Sequence, residues 1–93
     1  MKTRNFSVTL TGSWQSLTSV PTYIQGLQLE NPSGNDTVQY RSSEGVARDI
    51  EALDVADFKA IDNEDPLRNE FEVKGTAAQT LYGEYWCDND QVD

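Results

Sequence analysis

Carboxylates are the side chains in this sequence whose number and spacing could support chemistry. They occur in close groups: Asp54 lies near Asp57, three acids fall within residues 62–65, and Glu70 lies near Glu72. General acid–base catalysis needs two carboxylates that differ in environment and converge on one cleft. These groups fall in segments typical of loops and strand edges, where nothing indicates convergence. We therefore interpret them as solvated surface groups and assign no catalytic residues.

Other residue types exclude most nucleophilic chemistry. The sequence contains no histidine and a single cysteine, Cys87. Cys–His and Ser–His mechanisms are therefore excluded, and no intrachain disulfide can form. The glycine-containing stretch at 75–79 lacks the Lys-Ser/Thr pair of a phosphate-binding loop. The sequence predicts a protein that is not an enzyme and has no cofactor.

Two oxygen-rich stretches, residues 62–65 and 88–93, have a spacing that could hold Ca²⁺. The calcium-binding loop of an EF-hand, with its internal Gly and terminal Glu, is absent from both. A hard-cation site needs about six or more preorganised oxygen ligands. We therefore predict no metal site.

The net charge of −9 is distributed unevenly along the chain. Residues 1–43 carry three bases and two acids, whereas residues 44–93 carry four bases and fourteen acids. An acidic field repels phosphate backbones, so we expect no nucleic-acid binding. Solubility is the simplest explanation of the charge. A basic protein surface as partner, or mimicry of a nucleic acid, stays open.

The sequence contains neither a long apolar run nor an export signal. No stretch reaches the roughly 18 apolar residues that a membrane-spanning helix needs, and no signal-peptide pattern follows Met1. We expect no membrane association and synthesis in a cytoplasm.

The hydrophobic pattern predicts short strands. Phe6, Val8 and Leu10 alternate with polar residues, as apolar and polar residues do within 37–42. Turn-forming residues separate these runs, most clearly at 31–36. Six or seven such strands in one domain indicate an all-β fold, either a small antiparallel β-sandwich or a jelly-roll-like barrel. We expect residues 1–5 to form a polar arm and 88–93 an acidic tail.

The turn signals predict how these strands pair. Residues 23–30 and 37–42 are expected to form a hairpin across the 31–36 loop, and residues 71–86 a second hairpin across 75–79. Between them the pattern is ambiguous. We favour a strand at 48–53, a turn at 55–57 and a strand at 58–61.

Four aromatic side chains are candidates for a platform that binds sugar or protein: Trp14, Tyr40, Tyr82 and Trp86. We expect at least two of them to fill the core instead. In the last strand, alternation places Tyr82, Glu84 and Trp86 on the face opposite Leu81 and Tyr85. Because aromatic residues are favoured at interfaces, Tyr82, Glu84 and Trp86 form the candidate partner surface.

Two segments carry a resemblance to a known group of proteins. They are Leu27-Gln-Leu-Glu-Asn-Pro-Ser-Gly-Asn-Asp-Thr-Val-Gln-Tyr40 and Phe71-Glu-Val-Lys-Gly-Thr-Ala-Ala-Gln-Thr-Leu-Tyr-Gly-Glu-Tyr-Trp86. In both, a turn of Asn-Pro-Ser-Gly or Gly-Thr-Ala type separates two strands. The chain thereby resembles the small all-β structural proteins of tailed bacteriophages, which include head decoration (cement) proteins and bases of head fibres. It departs from them at Ala78, where Gly is commoner, and in its acidic middle at 48–65.

The resemblance implies a non-enzymatic component of the virion that lies on the capsid surface. It implies binding to the major capsid protein or to other virion proteins, and assembly into a homo-oligomer, often a trimer. Two alternatives from other classes stay open. One is an acidic inhibitor that mimics nucleic acid in the groove of a DNA-processing enzyme, and the other is a carbohydrate-binding module of a tail appendage.

Overall fold

A computed structural model of the chain describes residues 2–42, 45–59 and 67–87. Within these ranges the regular structure consists entirely of strands. They are β1 (Lys2–Thr9), β2 (Gln15–Ser16), β3 (Tyr23–Ile24), β4 (Gly26–Glu30), β5 (Val38–Ser42), β6 (Arg48–Ile50), β7 (Val55–Lys59), β8 (Leu67–Arg68), β9 (Phe71–Lys74) and β10 (Thr80–Cys87).

The strands form two four-stranded antiparallel sheets. Sheet A has the order β1-β10-β4-β7, and sheet B has the order β2-β9-β5-β6. A small third sheet pairs β3 with β8. With β3 and β8 set aside, these two orders are those of an eight-stranded jelly roll. The predicted fold class is thus confirmed. The predicted number of strands was too low, since two-residue strands carry no alternation signal.

Both predicted hairpins are wrong. β4 belongs to sheet A and β5 to sheet B, while β9 belongs to sheet B and β10 to sheet A. The connections at 31–37 and 75–79 are therefore arches that cross from one sheet to the other. Turn residues and inward-facing apolar residues look the same in both cases, because an arch and a hairpin each reverse the chain between two half-buried strands.

Three further expectations need correction. Residues 2–5, predicted as an arm, lie in β1 and pair with β10 from Lys2 opposite Cys87 onward. The strand predicted at 48–53 ends at Ile50, and the turn predicted at 55–57 lies inside β7. Strand pairing with β4 overrides the weak local signal there. Residues 60–61 and the acidic tail at 88–93 lie outside the described residues.

The core lies between the two sheets and is built from the inward faces of their strands. Buried residues of sheet A face buried residues of sheet B, and the loops close the ends. The core members are Leu10, Leu17, Val20, Ile24, Leu27, Leu29, Val38, Ile50, Phe71, Val73, Leu81, Tyr85 and Cys87. The inward face of β10 therefore matches the one that alternation predicts. The strand predicted at 23–30 is interrupted by a bend at Gln25, which leaves Tyr23 exposed and buries Ile24.

Four arches leave the strands at one end of the sandwich, and the buried residue Asn31 joins two of them, its own arch at 31–37 and the one that follows β6. Its Nδ2 donates to the carbonyl oxygens of Ile50 (2.8 Å) and Asp36 (3.0 Å), and its Oδ1 accepts from Asn35. Its backbone N–H donates to Asp54, and its carbonyl accepts from Leu53. Backbone groups in an arch have no neighbouring strand to bond to. Asn31 therefore supplies the hydrogen-bond donors and acceptors that they need.

At the opposite end, Asn69 has the corresponding role. Its Nδ2 donates to the carbonyl oxygens of Leu17 (3.0 Å) and Val20 (2.9 Å), and its backbone N–H donates to Thr22. These bonds hold the connection between β2 and β4 against the segment that leads into β9. Each end of the sandwich is thus fixed by an asparagine amide.

Replacing Asn31 with Ala is expected to destabilise the protein by about 3 kcal/mol, because buried carbonyl groups lose their donor. Urea unfolding measures the free energy. Asn5, exposed on β1, provides the matched control: Asn5→Ala should stay within about 0.5 kcal/mol of the parent. Equal losses in the two variants would contradict the role of Asn31.

Replacing Ala78 with Gly is expected to stabilise the protein. Ala78 has a φ of 74°, and a side chain in this left-handed region costs roughly 1–2 kcal/mol. The added freedom of glycine in the unfolded chain removes part of that gain, so we expect a net increase of about 0.5–1 kcal/mol. The neighbouring Ala77 lies outside the left-handed region. Ala77→Gly should therefore destabilise in the same assay, and a gain in both variants would exclude this explanation.

Candidate functional site

The outward face of sheet A carries the residues of the candidate partner surface. The strand register places side chains on this face in rows that cross the sheet. One row is Ser7, Tyr82, Glu30 and Val55, the next is Asn5, Glu84, Gln28 and Asp57, and the third contains Thr3, Trp86 and Gly26. Tyr82, Glu84 and Trp86 therefore share one face, as alternation predicts, and residues from three other strands surround them.

Tyr82 is the most accessible of the three. Its side chain is 48% exposed, and Val55, two strands away in the same row, is also 48% exposed. Glu30 lies between them. Exposed single apolar residues are ordinary on a protein surface, but here two of them flank one carboxylate on a regular sheet.

Trp86 is held more tightly. Its indole ring covers Gly26 on the neighbouring strand, in contact with the position where a Cβ atom would lie. An aromatic ring that covers a cross-strand glycine supplies the packing that the glycine lacks. The same arrangement occurs on the inward face, where the Phe6 ring covers Gly83. Part of the Trp86 surface is thus used within the sheet, and Tyr82 is the better placed of the two rings to contact a partner.

A shallow groove of about 280 Å³ lies between the first two rows. Its side-chain lining is Asn5, Gln28, Glu30, Tyr82 and Glu84, and it also includes Phe6 and Gly83. Phe6 and Gly83 point to the core by register, so their backbone forms the floor of the groove. Three strands that are distant in sequence, β1, β4 and β10, thus meet at one place.

The groove is rich in acceptors. Neither Glu30 nor Glu84 has a hydrogen-bond or ion-pair partner within residues 2–42, 45–59 and 67–87. The Nε2 atom of Gln28 donates to Asp57 Oδ1 at 3.0 Å, which commits one donor of that amide to its neighbour. A molecule that fills the groove must therefore supply donors or positive charge.

The four aromatic candidates do not form one platform. Tyr40 packs between the sheets, with its ring centroid 5.4 Å from that of Phe58 in an edge-on arrangement. Trp14 lies beside sheet B, where the Arg41 guanidinium carbon stands 4.0 Å from the ring centroid. The Arg41 Nε also bonds to Glu72 Oε1 at 2.8 Å. Trp14 and Arg41 thus stabilise sheet B through a stacked cation.

The carboxylate groups seen in the sequence are dispersed. Asp57 lies on the outward face of sheet A, whereas Glu72 pairs with Arg41 in sheet B, and Glu70 pairs with Arg68 at 3.2 Å. Residues 62–65 and 88–93, considered for Ca²⁺, lie outside the described residues. In the part of the chain that the structure does describe, no three acids or cysteines are placed to hold a metal ion.

No helix in the described ranges has the length and apolar character to cross a membrane. Comparison with known proteins finds no match to a family model, to a curated protein or to a solved structure.

Sequence reasoning missed Asn5, Gln28 and Glu30 as members of this surface. Alternation with Leu27 and Leu29 does mark Gln28 and Glu30 as outward-facing. No local signal, however, indicates that β4 lies beside β10, because that pairing joins residues more than fifty positions apart.

Substituting Tyr82 and Tyr85 separately by Ala tests the assignment of faces. Tyr85 is 7% exposed and its ring lies 5.9 Å from that of Phe6, so its loss should cost about 3–4 kcal/mol. Tyr82→Ala should change the free energy of unfolding by less than about 0.5 kcal/mol. Thermal and urea unfolding provide the measurement, and a reversed order would show that the two faces are misassigned.

Proposed function

We propose that this protein is a non-enzymatic structural component of a bacteriophage particle that binds the capsid surface and decorates or stabilises it. The observation that carries the proposal is the outward face of sheet A. It combines the exposed ring of Tyr82 with the carboxylates of Glu30 and Glu84 on a rigid sheet. Rigid sheets position contact residues better than loops do.

The jelly-roll topology supports the same class of function by analogy of fold. Double-sheet jelly rolls recur in viral capsid and lectin domains, although a fold can serve many unrelated functions. The resemblance at residues 27–40 and 71–86 points in the same direction. The positive φ of Ala78 also gives a physical reason why Gly would be common at that position in related turns.

A decorating protein gains affinity through repetition. We propose that the chain forms a homo-oligomer, with a trimer as the expected state, and that its copies bind several equivalent sites on a lattice. Each contact can then be weak, because the second and third binding events are intramolecular. Tyr82 is the expected anchor of each contact, and the carboxylates select its orientation.

Mimicry of nucleic acid is a weaker proposal. A mimic needs carboxylates along one continuous face. Among the described acids of residues 44–72, Asp57 faces outward from sheet A, while Asp49 and Glu72 belong to sheet B. The acids are thus divided between opposite sides of the sandwich.

Add-back to particles tests the proposal. Particles of the phage whose genome encodes this chain are stripped of it and incubated with the purified protein. We expect the protein to sediment with the particles and to raise the temperature at which they release DNA. Absence of the chain from purified particles, or no sedimentation with them, would overturn the proposal.

Solution mass provides a separate measurement for the oligomer. We expect a trimer, with three times the 10.4 kDa of one chain, in light scattering coupled to gel filtration. A protein that remains a monomer at all concentrations would exclude this part of the proposal.

A further inference from the structure

The groove on the outward face of sheet A is bounded by Tyr82, Glu30 and Glu84 and combines an aromatic ring with two carboxylates. We propose that it receives an arginine side chain that projects from a partner protein. This inference rests on the proposed function in taking the partner to be a protein. The binding chemistry is argued from the groove alone.

The size of the groove favours a single side chain. Its volume of about 280 Å³ is close to the lower limit of roughly 300 Å³ for pockets that enclose drug-sized ligands. The strand backbone at Phe6 and Gly83 forms its floor, so it has no deep cavity for a larger molecule. One long side chain, lying along the groove, matches these limits.

The distribution of donors and acceptors favours arginine. Glu30 and Glu84 present four carboxylate oxygens, and neither residue has a partner in the described part of the chain. Guanidinium carries five N–H donors and no acceptor, and its planar fork matches a carboxylate. A sugar hydroxyl both donates and accepts, and would leave much of this acceptor capacity unused.

The position of Tyr82 favours arginine over lysine. Tyr82 lies directly opposite Glu30 in the register and is followed two residues later by Glu84 on the same strand. A guanidinium can stack on the tyrosine ring while its edge bonds to a carboxylate, whereas an ammonium group interacts as a point charge. This molecule already contains such a stack in sheet B, where Arg41 lies over Trp14 and bonds to Glu72.

The charge of the surroundings supports a cation. Asp57 lies beside Gln28 in the second row. Among the described strands, the only base whose backbone position falls in these three rows is Lys59, opposite Gly26 in the third row. With a net charge of −9, the whole molecule also attracts a basic partner and speeds its association.

A matched pair of peptides tests the inference on the intact chain. The ¹⁵N-labelled protein is titrated by NMR with acetyl-Gly-Arg-Gly-amide and with the same peptide containing citrulline, the neutral analogue of arginine. We expect the arginine peptide to shift the amide signals of Tyr82, Glu84 and Gln28, and the citrulline peptide to bind at least about tenfold more weakly. Equal shifts with both peptides, or no shift at these residues, would overturn the proposal.

Matched variants separate the groove from the general acidity of the protein. The double variant Glu30→Gln with Glu84→Gln should lower the affinity for the arginine peptide by about tenfold or more. Asp49→Asn with Glu51→Gln removes the same charge from exposed positions outside this face and should leave the affinity within about twofold, because exposed charges at a distance are screened. Equal weakening in both double variants would show bulk attraction and reject the groove. Unchanged thermal midpoints confirm that the variants fold.

Two further measurements distinguish this inference from the proposed function. If the protein sediments with particles and Glu30→Gln with Glu84→Gln does not reduce that binding, the capsid function stands and the groove is not its contact. If the arginine peptide binds the groove and the particles do not bind the protein, the inference about the groove stands and the capsid function fails. A shift caused by methyl glucoside, without one caused by the arginine peptide, would favour a sugar site instead.

Discussion

The hydrogen bonds of Asn31 are the constraint on which the sandwich depends. A jelly roll sends the chain from one sheet to the other at almost every turn, so its connections lie over the open end of the core. The backbone groups of those connections need partners that the sheets do not provide. Asn31 is fully buried and bonds to groups in two chain segments at once, residues 35–36 and residues 50–54. A side chain with both donors and an acceptor is required there, which explains a polar residue in an apolar core.

The same network explains a locally unfavourable backbone. Leu53 has a φ of 72° and is 71% exposed, so it gains little from burial and adopts a conformation that disfavours a branched side chain. Its N–H donates to the carbonyl of Asn31 at 2.7 Å. The hydrogen bonds to Asn31 therefore determine the backbone conformation of the arch between β6 and β7. The strain at Leu53 is tolerated because the bond to Asn31 requires that geometry.

The sequence predicts strands well where one face is buried along several residues. Phe71, Val73, Leu81 and Tyr85 face the core as their alternation indicates. It does not predict which strands become neighbours, because an arch and a hairpin share their turn residues. It also misses β8 and does not separate β3 from β4 within the strand predicted at 23–30, since a two-residue strand is defined by its partner and not by a period of its own.

The candidate surface likewise has one part that local alternation predicts and another that depends on strand pairing. Tyr82, Glu84 and Trp86 belong to one strand, so alternation alone places them together. Asn5 and Glu30 reach the same groove only through the register of β10 with β1 and β4, and a register between remote segments is a property of the whole fold. Local patterns therefore locate one side of a surface site, and the topology supplies the other.

The position of β10 has a consequence for the timing of folding. This strand follows the other described strands in the sequence, yet it lies inside sheet A, between β1 and β4. Neither neighbour can complete its hydrogen bonds before β10 has left the ribosome. The strand β1 stays unpaired until β10, more than seventy residues later, has been made. Completion of sheet A is thus postponed until residues 80–87 have been made, and until then a nascent chain exposes the edge of β1.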